Sequence, residues 1–311
     1  MSAAEPTVAS PASPTVASPA SPTVAESPAA VAELRRTAVE LAERAADHVR
    51  ARRPEVFGPD AEAADAVRTK GHATDPVTVV DTETEELIRG LLARHRPGEA
   101  VLGEEGGGSL GVDDGAVHWV VDPIDGTVNF LYGIPGYAVS VAAMRGGRSV
   151  AGAVVDVARQ VTYSAGLGAG AHAHTAGGPA ERLHCSAAAS LDLALVATGF
   201  AYGRHRRTRQ AEIIARVLPQ VRDIRRFGAA ALDLCHVAAG RVDAYFEHGL
   251  NAWDWGAGAL IAAEAGAVLT LPAAHRSGAE GDLVVAAAPG IADELAGVLR
   301  AAGATDPIPD R

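Results

Sequence analysis

The chain has 311 residues, 48% of them apolar, with 27 Lys plus Arg against 38 Asp plus Glu and a formal charge of −11. That supports a globular protein with material for one large domain or two smaller ones. It argues against a nucleic-acid scaffold, whose affinity comes from basic residues set against phosphates.

Residues 1–30 repeat an octet: PTVASPAS at 6–13 and again at 14–21, then PTVAESPA from Pro22. Six of the 18 prolines fall there, so backbone donors are lost and no packed face forms. The expectation is a disordered, extended tail that activity does not need. From Val31 the apolar residues Leu34, Val39, Leu41 and Ala45 follow helical spacing. Residues 69–81 approach a strand through Lys70, Gly71 and polar neighbours, which suits a mobile loop; Lys70 is the sole lysine. After Asp81, acidic and hydroxyl residues at 82–86 lead into Leu87, Ile88, Leu91 and Leu92, a second helix.

Short apolar runs predict strands at 100–103, 117–121, 137–144, 150–157 and 161–164. Beyond about residue 180, strands at 194–198, 242–246 and 283–287 alternate with helices at 210–217, 230–239, 257–265 and 291–299. An α+β half over 31–180 and an α/β half over 181–311, stacked as layered sheets and helices, is the economical arrangement. Cys185 and Cys235 make neither a disulfide framework nor a zinc site, so a reduced, cytoplasmic protein is expected. The N-terminus reads as no secretory signal. The apolar stretch at 255–271 is broken by Glu264 and glycines, too polar for a membrane span.

Chemistry concentrates in three carboxylate clusters. Asp122-Pro123-Ile124-Asp125-Gly126-Thr127 leaves an apolar strand, and a turn there would aim Asp122 and Asp125 at one point. If Thr127 opens a helix, the amides around Gly126 and Thr127 also face an anion. Glu104 and Glu105 follow a strand as adjacent acids that repel unless a cation or solvent separates them. Asp254 stands between Trp253 and Trp255 at a helix start. Taken singly, each has an ordinary reading: an Asx turn for Asp122 and Asp125, an N-cap for Asp254, a stray lysine for Lys70. Three clusters without Cys or His beside them favour Mg²⁺ over zinc.

Together, Gly103-Glu104-Glu105, Asp122-Pro123-Ile124-Asp125-Gly126-Thr127 and Trp253-Asp254-Trp255-Gly256-Ala257-Gly258 resemble the inositol monophosphatase family of Mg²⁺-dependent, lithium-sensitive phosphatases, above all its actinobacterial members. The resemblance runs from about Val31 to the C-terminus. It implies an αβαβα sandwich, the layered fold shared with fructose-1,6-bisphosphatase, and a homodimer. It implies that Glu104, Asp122 and the Ile124 carbonyl hold one Mg²⁺ and that Asp122, Asp125 and Asp254 hold a second, with two or three ions per subunit. Asp81 would accept a hydrogen bond from Thr127, and Thr127 with Glu104 would activate water. Lys70 is the loop residue and Glu105 a support behind Glu104. Gly126, Thr127, Gly228, Ala229, Ala230 and Glu247 would meet a small phosphorylated polyol, with neither nucleic acid nor membrane as partner. Pro76, Trp255 and the glycines at 106–108 depart from the family pattern and bear on substrate fit and metal affinity.

Hydrolysis of myo-inositol monophosphate is the leading expectation. Histidinol-phosphate and fructose-1,6-bisphosphate hydrolysis are the alternatives within the family. A regulatory binding protein, using the basic run at Arg204, Arg206, Arg207 and Arg209 or the repeat tail, is the alternative outside it.

Overall fold

The computed structural model describes residues 27–58, 66–70, 72, 74–111 and 115–310. Of the tail expected over 1–30, residues 1–26 lie outside the described residues, while 28–30 form the first turn of a helix capped by Ser27, with Pro28 at a position where a missing N–H costs nothing. In chain order the elements are α1 (Pro28–Phe57), the hairpin β1 (Val67–Thr69) and β2 (Pro76–Thr78), α2 (Val79–His95), β3 (Ala100–Gly103), β4 (His118–Asp125) and α3 (Thr127–Tyr132). Then come β5 (Ala138–Arg145), β6 (Arg148–Asp156), β7 (Val161–Gly166), β8 (Gly170–Thr175), β9 (Glu181–Arg182) and β10 (Leu195–Thr198). The remainder is α4 (Arg204–Val217), β11 (Asp223–Arg225), α5 (Ala230–Ala238), β12 (Ala244–His248), α6 (Ala252–Glu264), β13 (Val268–Thr270), β14 (Leu283–Ala287) and α7 (Ala292–Ala301).

Two large sheets form. One runs β3-β4-β5-β6-β7-β8-β9, antiparallel apart from the β3/β4 pair. The other runs β11-β10-β12-β14-β13, with β10 parallel to both neighbours. Strand alternation sends successive side chains to opposite faces, and the buried clusters follow it. Trp119 and Val121 of β4 pack with Leu34 and Leu41 of α1 and Ile88 of α2. Val120, between them, packs with Leu234 of α5 and Trp255 of α6. On the second sheet Tyr245 meets that same helical layer, while Ala244 and Phe246 meet Ile213 of α4 and Leu295 of α7. The result is five layers, α1/α2, sheet, α5/α6, sheet, α4/α7, so the expected αβαβα sandwich is present.

Several element limits differ from those read in the sequence, each for a local reason. Helix α2 begins ahead of Asp81: Thr78 is its N-cap and Asp81 its third residue, bonded back to Thr78 as a capping box. Helix α6 likewise begins at Ala252 behind Asn251, so Asp254 sits inside the first turn rather than capping it. Helix α4 starts at Arg204, so the basic run is helical. Strand β4 continues through Pro123 to Asp125 where a turn was expected.

Helix α3 has six residues and is held by its neighbours rather than by its own propensity. Its Phe130 is fully buried, edge-on to Phe57 at 5.6 Å and to Tyr137 at 5.3 Å, and its carbonyl accepts from Arg53 Nε at 2.9 Å. Truncating such a ring leaves a cavity, so Phe130→Ala should lower the urea-unfolding free energy by about 3–5 kcal/mol. A loss below about 1 kcal/mol would show that α3 does not depend on this packing.

Candidate active site

The Asp122-to-Thr127 segment shows how the strand delivers two carboxylates to one place. Side chains three residues apart on a regular strand point to opposite faces. Here Asp122 pairs with Ser140 and Asp125 with Ala138, so two residues of β4 oppose one of β5. That bulge resets the alternation, and Pro123, which has no N–H to give the ladder, is tolerated within it. Gly126 then turns the chain with φ of 89°. A Cβ there would lie 2.9 Å from the Gly136 carbonyl oxygen and 3.0 Å from that of Gly228, so both backbone angle and space require glycine. Thr127 opens α3, as its sequence suggested.

Asp125 is tied to the second half of the molecule. Its Oδ1 accepts from Ala230 N at 3.2 Å and its Oδ2 from Ala231 N at 2.7 Å. Ala229, the N-cap of α5, has no side-chain acceptor, so the cap is supplied from a residue 105 positions earlier. This fixes Gly228, Ala229 and Ala230 beside Asp125.

The other site groups are seated in comparable ways. Asp122 Oδ1 accepts from Ile124 N at 3.0 Å. Asp254 Oδ2 accepts from Asn251 N at 2.6 Å, and Asn251 Oδ1 in turn accepts from Gly278 N at 2.8 Å. Thr127 Oγ1 lies 3.2 Å from Asp81 Oδ1 and 3.0 Å from the Ile124 carbonyl, with its single proton shared between two acceptors. Lys70 Nζ donates to Glu104 Oε1 at 2.6 Å and to Glu105 Oε1 at 2.7 Å. The N-termini of α2, α3, α5 and α6 all meet these groups, and their positive dipole ends offset part of the carboxylate repulsion.

What repulsion remains is visible in the titration of the acids. Asp122 is held well above the usual carboxylate range, by burial first and then by the charges of Glu104, Asp125 and Asp254. Asp254 is raised by burial, Glu104 and Asp125. Burial pushes Asp125 up to about 7 against the lowering effect of its amide donors. Asp81 also rises to about 7, again chiefly by burial. Burial opposes the Lys70 charge, and Glu104 and Glu105 overcome it and hold the ammonium above its ordinary range. Among the described residues, no three or more His, Cys, Asp or Glu side chains are gathered tightly enough to hold an ion as they stand. Glu104, Asp122, Asp125 and Asp254 are nonetheless electrostatic neighbours, and each also accepts a hydrogen bond from a backbone amide or from Lys70.

The cleft that Glu104, Asp125 and Asp254 border has a volume of about 390 Å³ and is also lined by Gly126, Gly228, Ala229, Ala230, Glu247 and Trp253. Glu247 is half-buried, two residues beyond Tyr245 on the same face of β12, and its Oε2 accepts from the Tyr245 hydroxyl at 2.7 Å. It is thus more than an exposed strand-end acid. Of the residues singled out in the sequence, Glu104, Asp125, Gly126, Gly228, Ala229, Ala230, Glu247 and Asp254 line the cleft, Lys70 bonds Glu104, and Thr127, Asp81 and the Ile124 carbonyl are joined to one another behind Gly126.

Among the cleft-lining residues that sequence reasoning missed are Asp75, Tyr202 and Arg226, and it also missed one buried acid. That acid is Asp233 on α5, whose two carboxyl oxygens have no hydrogen-bond partner among the described residues. A lone acid in a mostly apolar helix was the available signal. Burial raises it well above its usual range, with Glu247 and Asp125 adding to the effect.

For a carboxyl raised on folding, the folded state keeps the proton over a pH interval in which the unfolded chain, near pKa 4, has lost it. Asp233 therefore destabilises the fold progressively as pH rises above that value. Asp233→Asn should gain unfolding free energy relative to the parent between pH 4 and pH 8, by about 1–2 kcal/mol. A difference independent of pH would show that Asp233 does not titrate this way.

Comparison with known proteins gives one answer. The model of the inositol monophosphatase family matches residues 30–304. An inositol-1-monophosphatase of Mycobacterium bovis is 56% identical over 285 residues, 90% of this chain and 97% of that protein. The solved structure of Mycobacterium tuberculosis SuhB superposes with a TM-score of 0.75 at 52% identity, covering 88% of this chain and 98% of that one. A more distant relative, a Nus factor SuhB of Pseudomonas aeruginosa, is 41% identical over 202 residues, 64% of this chain and 73% of that protein.

Proposed function

The chain belongs to the inositol monophosphatase family, and from that premise we propose that it hydrolyses myo-inositol monophosphate to inositol and inorganic phosphate with Mg²⁺. The observation that carries the reading is the meeting of Glu104, Asp122, Asp125 and Asp254, from three places in the sequence, as electrostatic neighbours where each raises another's pKa or is raised by it. An all-oxygen set of this kind fits a hard divalent cation, whose charge would relieve the repulsion. Glu104, Asp122 and the Ile124 carbonyl would hold one ion, and Asp122, Asp125 and Asp254 the other. When bound, Mg²⁺ supplies positive charge against the phosphate ester and its leaving oxygen and acidifies the attacking water.

The chain's own residues then divide the work. Thr127 gives its proton towards Asp81 and Ile124, which leaves its oxygen lone pair to accept from a water and orient it. Asp81, raised to about 7, is placed to take a proton passed through that hydroxyl. The amides at the start of α3 face a phosphate oxygen. Gly228, Ala229 and Ala230 form the polyol side of the cleft, and Glu247, steadied by Tyr245, accepts polyol hydroxyls. Glu105, paired with Lys70, supports Glu104 from behind.

Phosphate release from inositol 1-phosphate should exceed that from histidinol phosphate and from fructose 1,6-bisphosphate in kcat/KM. A hundredfold preference for histidinol phosphate would overturn the substrate assignment. Asp122→Asn should lower kcat by about a thousandfold, several kcal/mol of lost charge stabilisation. Survival of activity would overturn the mechanism. The basic run does not favour a binding role: Arg206 is buried and Arg209 is paired with Glu212.

Mg²⁺ binding also has an optical test. Trp253 lines the cleft, whereas Trp119 lies in the core beneath α1 and α2 with its Nε1 bonded to Glu99. Mg²⁺ titration should change the intrinsic fluorescence, and Trp253→Phe should abolish most of the change. A full-sized change in that variant would place the ion elsewhere.

A further inference from the structure

The carboxyl-terminal residues return to the rim of the cleft and are fastened there. Ile308 N donates to the Gly281 carbonyl and Asp310 N to the Ala279 carbonyl, each at 2.9 Å. Arg206, only 3% exposed, reaches both partners of this strap, with Nε on the Ile308 carbonyl at 2.6 Å and Nη2 on that of Ala279 at 2.9 Å. Two glycines make room for it. A Cβ on Gly281 would come within 2.0 Å of the Ile308 oxygen, and one on Gly203 within 2.0 Å of Asp310 Oδ1. The strap is therefore a seated part of the fold.

Its last described side chain points across to the segment that bears Lys70. Asp310 Oδ2 accepts from His72 Nε2 at 2.9 Å. A carboxylate can only accept here, so Nε2 carries the ring proton. His72 is bound by backbone to its neighbours: its carbonyl accepts from Asp75 N at 3.0 Å, and the Asp75 carbonyl accepts from Lys70 N at 2.9 Å. Lys70 then bonds Glu104 and Glu105. On the outer side, Thr74 Oγ1 donates to the Tyr202 carbonyl at 3.2 Å. An exposed ion pair usually contributes little because two free side chains must be ordered. At Asp310 the strap has already fixed one partner, so the bond orders the other at smaller entropic cost.

We propose that Asp310 is a positioning residue, which through His72 sets the place of Lys70 against Glu104 and Glu105 at the cleft. The kinetic consequence rests on the phosphatase reading above; the structural consequence does not.

The test uses the sole lysine, since a lysine-specific endoprotease can cut this chain only after Lys70. Such cleavage requires the segment to leave its seat, so its rate reports the population of the released state. In the full-length protein, Asp310→Ala and His72→Ala should each speed the cut about fivefold or more. The double variant should be no faster than the faster single one, because both remove the same contact. Asp310→Asn keeps an acceptor oxygen and should cut within about twofold of the parent. Thermal midpoints should stay within about 2 °C. For inositol 1-phosphate with Mg²⁺, kcat/KM should fall about fivefold in Asp310→Ala and less in Asp310→Asn.

Unchanged cutting in both alanine variants, additive effects in the double variant, or an asparagine variant as fast as the alanine one would overturn the proposal. If the parent enzyme hydrolyses none of the phosphate esters, the functional reading fails while the cutting rates still decide the role of Asp310. If it hydrolyses them and cutting is unmoved, this inference fails alone.

Discussion

The bond between Asp125 and the first turn of α5 is the contact on which the rest of the cleft depends. Asp125 leaves the first sheet through a bulge, and α5 belongs to the layer between the two sheets. By accepting from Ala230 and Ala231, the carboxylate supplies the cap that Ala229 lacks. Removing it would leave a helix start without acceptors and a buried acid without donors, and an unpaired buried group costs more than the bond contributes net. The close approach also dictates the neighbours: Gly126 must be glycine because the Gly136 and Gly228 carbonyls already occupy the space. One interaction thus sets α5, the turn at Gly228 and the direction in which α3 begins.

Helix N-termini explain how so acidic a cleft is tolerated. Asp81 and Asp254 each sit at the third residue of a helix and bond back to the cap, while Asp125 caps a helix from outside. Each acid faces amide donors and a positive dipole end. That support is incomplete, since burial still raises Asp122, Asp125 and Asp254. The arrangement keeps a surplus of negative charge in a place that amides and Lys70 only partly neutralise. This is the electrostatic setting in which a divalent cation has most to contribute.

How far the sequence anticipated this can be followed residue by residue. Residues 100–103 and 283–287 read as strands and are strands to the residue, because short apolar runs set between turn residues leave few alternatives. The layered class followed from the same alternation of elements. Asp122, Asp125 and Thr127 stood out because their spacing combines acid, glycine and hydroxyl. The bulge that brings Asp122 and Asp125 to one side was not legible, since it is set by register with β5. The outside cap on α5 was not legible either, because no local pattern marks an acceptor 105 residues away. Helix starts at Thr78 and Asn251 were legible in principle; acids three residues on from a cap were taken for the boundary itself.

The middle layer has a consequence for the division into two halves. Helices α5 and α6 cover the inner faces of both sheets, so neither sheet buries its apolar surface without them. The site follows the same rule: Asp122 and Asp125 come from the first sheet and Glu104 follows its strand β3, while Asp254 lies in the first turn of α6 and Glu247 near the end of β12 of the second. A sequence boundary near residue 180 therefore separates strands but not cores. Lys70 spans the same divide, with its ammonium on Glu104 and Glu105 and the segment behind it bonded to Tyr202 and Asp310. The cleft is where two sheets share one helical layer, and its geometry can be no looser than that layer's packing allows.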